Sequence, residues 1–327
     1  MPFPLSVLDQ SPISEGSVGG GALRNSIDLA QSVEALGYER YWIAEHHGTP
    51  MLASAAPEIL IAAVAAATSR IKVGSGGVML SHYSPLKVAE VFSMLAALHP
   101  GRIDLGLGRA PGSDRETMLA LQRDRRQALP DDFAEQLAEL LAYLEDDFPA
   151  AHPFARLAAL PGGPERPEVW LLGSSPQSAL WAGELGLPYV FADFINPAGA
   201  EIAQLYRERF VPSRRRTTPF VGVAVSVVCA ENDEEAERLA KSARMAMTLL
   251  RQGRLIAVPP VETALAFFEE HSPPSGRRAV VGSPETVRAG LEKVVAAYGA
   301  DEAMIVTITY EHEARRRSYE LVAAAFR

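Results

Sequence analysis

One short segment of the chain combines two histidines with a carboxylate: Glu45-His46-His47, directly after the apolar run 41–44. Histidine is the side chain best suited to proton transfer near neutral pH, and a neighbouring carboxylate can orient its ring or stabilise its cation. A metal site is not expected, because successive strand residues point to opposite faces and no third His or Cys follows at a ligand spacing. The segment indicates acid–base chemistry at His46, with a structural role as the alternative for His47.

A second segment, Ser75-Gly76-Gly77, follows another short apolar run. Glycine has no side chain, so a flat ring can approach the backbone of Gly76 and Gly77, and unusual dihedral angles are tolerated there. Glycines in an ordinary turn are the alternative. The pattern predicts a turn or a contact with a planar ligand.

A third set of residues offers cationic and hydroxyl groups at strand ends. Arg109 follows the fourth predicted strand, and serines surround the start of the helix after the fifth: Ser174, Ser175 and Ser178. A guanidinium, hydroxyls and the free N–H groups of a helix N-terminus together suit a phosphate. Simple capping of the helix by Ser174 or Ser175 is the alternative.

These residues must be positioned by a regular alternation of short strands and amphipathic helices, the pattern of a parallel sheet covered by helices. Eight strands are predicted, at 5–8, 41–44, 71–74, 102–107, 169–172, 189–192, 220–229 and 303–308. Eight strands with interleaved helices favour an α/β fold, the (β/α)8 TIM barrel, whose usual size is ~250 residues plus insertions. An open doubly wound sheet is the alternative, but Gly19-Gly20-Gly21 lies too far from the first strand for a dinucleotide turn.

In a barrel of this kind the active groups lie at the carboxyl ends of the strands. The three sets of residues above all follow predicted strands, as does Asp9-Gln10-Ser11-Pro12 after the first. A single domain over 1–327 is therefore expected, with excursions near 110–166 and 251–275, the second interrupted by four prolines.

Composition and charge narrow the class of protein. The 327 residues are 48% hydrophobic and carry a formal charge of -9, which disfavours nucleic acid as a partner. The arginine runs 214–216 and 315–317 are expected to be solvated charge.

Cys229 is the single cysteine, so no intramolecular disulfide can form, and a reducing cytoplasm suits the chain. No signal peptide is recognised, and the longest apolar run, 59–67, is too short to span a membrane.

Together these residues resemble the bacterial luciferase-like flavin-dependent monooxygenase family. The resemblance is carried by YWIAEHH at 41–47, KVGSGGV at 72–78, PLKVAE at 85–90, GRIDLGLGR at 101–109, GSS at 173–175, GLP at 186–188 and the helix start GSP at 282–284. It implies a TIM barrel that binds reduced flavin mononucleotide (FMN).

The resemblance also implies roles for single residues. His46 is expected to be the catalytic histidine, beside the reactive edge of the flavin. Gly76-Gly77 stands where the family has a non-prolyl cis peptide against the ring, although luciferase has two alanines there. The flavin phosphate is expected at Arg109, Ser174, Ser175 and Ser178, with Glu45 and Ser75 as further cofactor-binding residues. Luciferase has a glutamate where Ser174 stands.

The implied reaction uses reduced FMN, supplied by a separate flavin reductase, and O2. A flavin hydroperoxide forms and oxygenates a small organic substrate in a dry pocket. Two alternatives stay open: hydride transfer by a deazaflavin (coenzyme F420), and a flavin-binding protein without turnover. Luminescence is not implied.

The resemblance further implies a homodimer through the second and third barrel helices. The sequence agrees with this, because the alanine-dense helix predicted at 57–68 permits close approach of a neighbour. The contact is expected near Ile59 and Val64.

Overall fold

The computed structural model describes most of the chain, at residues 2–109, 114–122, 125–126, 132–157, 160, 162–271 and 279–327. The helix starts expected at Ser113 and Pro130 lie outside the described residues, as do parts of both expected excursions.

Nine strands are described: β1 Leu5–Asp9, β2 Arg40–Ile43, β3 Lys72–Met79, β4 Ile103–Gly108, β5 Glu168–Gly173, β6 Tyr189–Ala192, β7 Val221–Cys229, β8 Val280–Gly282 and β9 Glu302–Val306. They alternate with α1 Gly19–Leu36, α2 Pro57–Ala67, α3 Pro85–Leu98, α4 Arg115–Leu121, α5 Phe133–Glu145, α6 Pro176–Glu184, α7 Ala200–Glu208, α8 Asp233–Arg251, α9 Val261–Glu270, α10 Pro284–Tyr298 and α11 His312–Ala325.

The strands close into a barrel. β1 to β6 pair in chain order, β6 pairs with β7, β7 with β9, and β9 with β1, all in parallel. The short β8 lies outside this ring and pairs with the carboxyl end of β7. The predicted (β/α)8 TIM barrel is therefore confirmed.

Local sequence signals mark several helix boundaries. Proline, which tolerates the first turn because its missing N–H has no partner there, begins α2, α3, α6 and α10. Gly37 ends α1 with φ +88°, a left-handed conformation that glycine adopts without steric cost. The Ser283 hydroxyl caps α10 by accepting from the Thr286 N–H, as the predicted helix start requires.

The region 251–275, predicted as an excursion interrupted by four prolines, contains the helix α9. Pro260 stands immediately before this helix, so the proline that was interpreted as an interruption marks a helix start instead. β8 follows and extends β7, so this region builds onto one end of the barrel.

Two layers of apolar side chains hold the fold. The outer layer packs the helices on the barrel, and it includes Val64, which is fully buried. The prediction that Val64 lies at a dimer contact is therefore wrong, because it faces the core. The inner layer fills the barrel around Trp42 and Trp170, whose rings meet edge to face at 5.1 Å between centroids. Within the described residues, no helix combines the length and apolar character required to cross a membrane.

The amino end of the barrel is closed by buried charges. Arg40 Nη1 lies 2.8 Å from Asp104 Oδ2, and Arg40 Nε lies 3.2 Å from Glu302 Oε2. The guanidinium also stacks on Trp170, and Trp42 Nε1 donates to Asp104. Burial raises the pKa values of both carboxyl groups, while their charges raise that of Arg40 against its own desolvation. These charges satisfy one another inside the barrel.

Candidate active site at the carboxyl ends of the strands

A cavity of about 610 Å³ opens at the carboxyl ends of β1, β2, β7 and β9, under one face of α8. Much of its wall is apolar, from side chains at the strand ends and on α8: Phe194, Val227, Val306, Ile308, Ala243 and Met247. The polar floor includes Gln10, His46 and His47. A concave apolar site with a few polar groups is typical of a small-molecule site.

His46 lies at the cavity in the position that the sequence predicts, just beyond β2. Its backbone N–H donates to Ser54 O at 2.9 Å, which fixes the chain after the strand. The ring atom Nδ1 is enclosed and has no hydrogen-bond partner within the described part of the chain. Burial, with a smaller contribution from His47, lowers the pKa of His46 to about 4. At neutral pH the ring is therefore uncharged and keeps one unused polar atom.

Glu45 is fully buried and holds His47. Its Oε1 lies 2.7 Å from His47 Nε2 and accepts from the Tyr83 hydroxyl at 3.0 Å, while Oε2 accepts from the Met79 N–H at 3.0 Å. Glu45 contacts His47 because residues two apart along the chain share a face and adjacent ones do not. Its predicted role as a cofactor-binding residue stays a prediction. The Glu45 carboxylate thus fixes the ring of His47 and links the ends of β2 and β3.

Gly76 and Gly77 lie inside β3 rather than after it. The strand was predicted to end at Gly74, but pairing with β4 continues to Met79, with a register shift between Gly76 and Val78. The Gly76–Gly77 peptide is cis. A Cβ on Gly77 would lie 2.7 Å from Gly106 O, so the neighbouring strand itself excludes a side chain there.

Ser75 also belongs to the barrel wall. Its side chain is fully buried, and its hydroxyl donates to Gly106 O at 2.8 Å. This bond ties β3 to β4 immediately before the cis peptide. The assignment of Ser75, Gly76 and Gly77 to a cofactor site stays a prediction.

Arg109 and the serines meet at the start of α6. The Arg109 guanidinium lies over the Trp181 ring of α6, with 5.7 Å between the guanidinium carbon and the ring centroid. Ser175 is the residue before the helix, yet its side chain makes no capping hydrogen bond. The capping alternative for Ser175 is therefore not observed, and a positive helix end lies beside a cation.

Ser174 and Ser178 differ in what their polar groups do. The Ser174 carbonyl accepts from Asn196 Nδ2 at 3.1 Å, which holds the loop before α6. The Ser178 hydroxyl donates to Ser175 O at 2.8 Å and lies 3.0 Å from the Tyr189 hydroxyl. Ser178 is buried and supports the loop, while Ser174 is half-buried and Ser175 exposed. None of these residues lines the cavity at His46, so the predicted site falls into two adjoining parts of the same rim.

One structural element near the site was missed by sequence reasoning, a buried ion pair between the barrel and the helices α1 and α11. Arg315, expected to be solvated, is 2% exposed and pairs with Asp9, and its Nε donates to Thr307 O at 3.0 Å. Burial would raise the pKa of Asp9, but Arg315, Ser26 and Tyr41 hold it below its ordinary value. The pair joins the ends of β1 and β9 next to Gln10. Asp9 and Arg315 are 306 residues apart in the sequence, so no pattern of neighbouring residues predicts that they pair.

Comparison with known proteins agrees with this geometry. The family model described as luciferase-like monooxygenase matches residues 3–302. The luciferase-like monooxygenase of Escherichia coli is 42% identical over 322 residues, 97% of this chain and 95% of the relative. The N-acetyl-S-alkylcysteine monooxygenase of Bacillus subtilis is 37% identical over 326 residues, 98% of this chain and 97% of the relative.

Solved structures also superpose on nearly the whole chain. The crystal structure of apo-MsnO8 superposes with a TM-score of 0.90 at 43% identity, covering 99% of this chain and 98% of that one. Two more distant structures share the fold alone. One is the oxygenating constituent of a 3,6-diketocamphane monooxygenase from Pseudomonas putida in complex with FMN, with a TM-score of 0.73, 21% identity and coverages of 99% and 97%. The other is an F420-dependent secondary alcohol dehydrogenase, with a TM-score of 0.73, 16% identity and full coverage of both chains. The chain is a member of the luciferase-like monooxygenase family.

Proposed function

We propose that this protein is a monooxygenase that uses reduced FMN and O2 to oxygenate a small organic substrate in the cavity at His46. The family and the relatives named as monooxygenases support oxygenation over hydride transfer. The fold is shared by an FMN complex and by an F420-dependent enzyme, so the choice of FMN rests on the relatives named as monooxygenases, because oxygenation needs a flavin that reacts with O2.

The observation that carries binding of a flavin phosphate is the start of α6. Ser175 leaves this helix N-terminus without a side-chain cap, and Arg109 lies over Trp181 of the same helix. Helix N–H groups and a guanidinium bind a phosphate well. The flavin phosphate would lie between Arg109 and Ser174-Ser175, and the ring would extend along the rim toward Gly76-Gly77 and His46.

The chain's own groups then have distinct tasks. Bound reduced FMN supplies the two electrons with which O2 delivers one oxygen atom to the substrate and one to water. His46, uncharged because burial lowers its pKa, offers Nδ1 for a hydrogen bond at the reacting end of the cavity. Glu45 holds the ring of His47 at the cavity wall. The apolar face of α8 excludes water from the reacting groups.

The electron source and the first substrates to try follow from the same proposal. We expect a separate flavin reductase to supply the reduced flavin, and we expect both proteins to work in the cytoplasm. The Bacillus subtilis relative suggests N-acetyl-S-alkylcysteines as substrates, since it is 37% identical over nearly the whole chain.

The test is an anaerobic titration of the full chain with reduced FMN and with reduced F420, followed by addition of O2. We expect tighter binding of FMN and, with substrate present, oxygen uptake coupled to incorporation of one labelled oxygen atom from 18O2. Binding of F420 alone would establish the hydride-transfer alternative. FMN binding that leaves the reaction of the flavin with O2 unchanged, and no product, would indicate a flavin-binding protein without turnover.

We also propose a homodimer through α2 and α3. Ile59 on α2 is 71% exposed, and α3 exposes Met94 and Leu98. Large apolar side chains at the surface of neighbouring helices favour a partner. Sedimentation should give twice the chain mass of 35.2 kDa, and Ile59→Asp should shift the equilibrium toward monomer. A wild-type monomer at micromolar concentration would contradict the proposal.

A further inference from the structure

The cavity at His46 is asymmetric in charge as well as in polarity. Arg244 and Arg251 are its cationic residues, and both lie on α8, seven positions apart and so on one side of the helix. Among the described residues, the remaining charged lining residue is Asp114, whose carboxylate accepts from the Thr117 N–H at 2.8 Å and caps α4. The roof is therefore apolar along its length and cationic at one side.

The two arginines differ in what they contact. Arg244 presents both terminal nitrogens to Glu237 on the same helix, with Nη2 at 3.0 Å from Oε1. Arg251 lies in the last turn, is exposed, and its guanidinium has no acidic or hydrogen-bonding partner in the part of the chain that is described. An arginine at the carboxyl end of a helix interacts favourably with the helix dipole, but that interaction does not use the N–H donors of the guanidinium.

The negative net charge of the chain contrasts with the cationic Arg251 at the cavity. The formal charge of -9 repels anions on average, yet an arginine without an acidic partner among the described residues borders the cavity at His46, which has the size for a small substrate. Next to it on α8, Met247 and Leu250 continue the apolar wall. A ligand that fits this surface has an apolar arm and one anionic end.

Resting on the proposed function, we propose that Arg251 is the specificity-determining residue that selects carboxylate-bearing substrates. The carboxylate binds the Arg251 guanidinium, and the apolar arm lies along α8 in the direction of His46. An N-acylated amino acid with an alkyl thioether side chain has this distribution of charge and apolar surface. Neutral molecules of the same shape bind less well because they leave the guanidinium without a partner.

Paired ligands test the proposal without turnover. N-acetyl-S-butylcysteine is compared with its primary amide, which keeps the shape and removes the charge, by calorimetric titration of the full chain with and without oxidised FMN. We expect the acid to bind about 10- to 100-fold more tightly, the range of a charge-assisted pair. Arg251→Gln should reduce this preference to nearly one, and Arg251→Lys should restore part of it.

The matched control is Arg254→Gln, an exposed arginine three positions away that does not line the cavity, and it should keep the wild-type preference. Equal affinity of acid and amide, or binding of neither, would overturn the proposal. A preference that survives Arg251→Gln but disappears in Arg244→Gln would overturn the assignment to Arg251. If FMN fails to bind while the acid preference depends on Arg251, the proposed function fails and the anion site stands.

Discussion

The two ends of the barrel differ in whether an enclosed polar atom without a partner among the described residues lies beside the cavity. At the amino end, Arg40, Asp104 and Glu302 contact one another, with the guanidinium also stacked on Trp170. At the carboxyl end, the Nδ1 atom of His46 is enclosed without a partner among the described residues.

The difference separates groups that hold the structure from groups that await a ligand. A buried polar group without a partner costs stability, so its presence beside a cavity indicates a partner that is not part of the chain. The uncapped start of α6 beside Arg109 belongs to the same end. We therefore expect substitution of Arg40 to change folding and substitution of Arg109 to change binding.

The largest expected effect is on folding, from Arg40→Met. The substitution leaves Asp104 and Glu302 buried without their cation, and breaking a buried pair in this way costs about 3–5 kcal/mol. Urea denaturation measures the free energy of unfolding. Arg216→Met is the control, since Arg216 reaches the half-exposed Glu168 at 3.4 Å, and it should cost about 1 kcal/mol or less. An equal, small cost in both variants would mean that the buried charges around Arg40 do not hold the structure.

A smaller effect is expected from pH through His46. The pKa of His46 is about 4 in the folded protein and about 6.5 in an unfolded chain, so between these values the unfolded state binds the extra proton. Stability should fall as the pH falls from 6.5 toward 4, by up to about 2 kcal/mol between pH 7 and pH 5 from this residue. The measurement is the free energy of unfolding at both pH values in wild type and His46→Asn.

In this comparison His46→Asn should lose less stability on acidification than wild type. Carboxyl groups elsewhere titrate in both proteins, so their contribution cancels in the difference. The same acid sensitivity in both would mean that His46 ionises normally in the folded state, and its neutral role at the cavity would be lost.

Sequence reasoning was strongest where the signal is local. The period of the apolar residues located the eight barrel strands, and it placed His46 just beyond β2 and Arg109 just beyond β4. Gly37 and Ser283 marked their helix boundaries correctly because a cap depends on neighbouring residues.

Sequence reasoning failed where the residues that a side chain or strand contacts are distant in the sequence. Arg315 was expected to be solvated because nothing near it in the chain indicates Asp9. The continuation of β3 beyond Gly74 depends on pairing with β4, and the burial of Val64 depends on which face of α2 meets the barrel. The Glu45–His47 contact could have been expected from the two-residue period of a strand, which places these side chains on one face.

The central claim, that the carboxyl end holds the flavin by its phosphate, is tested most directly by the affinity of Arg109→Ala for reduced FMN. Removing the guanidinium should weaken binding by roughly 1–3 kcal/mol while leaving the free energy of unfolding unchanged, because Arg109 is exposed. Arg214→Ala, an exposed arginine before β7 at the amino end, should bind as wild type does. Equal affinity in wild type and Arg109→Ala, or equal loss in the two variants, would contradict the account.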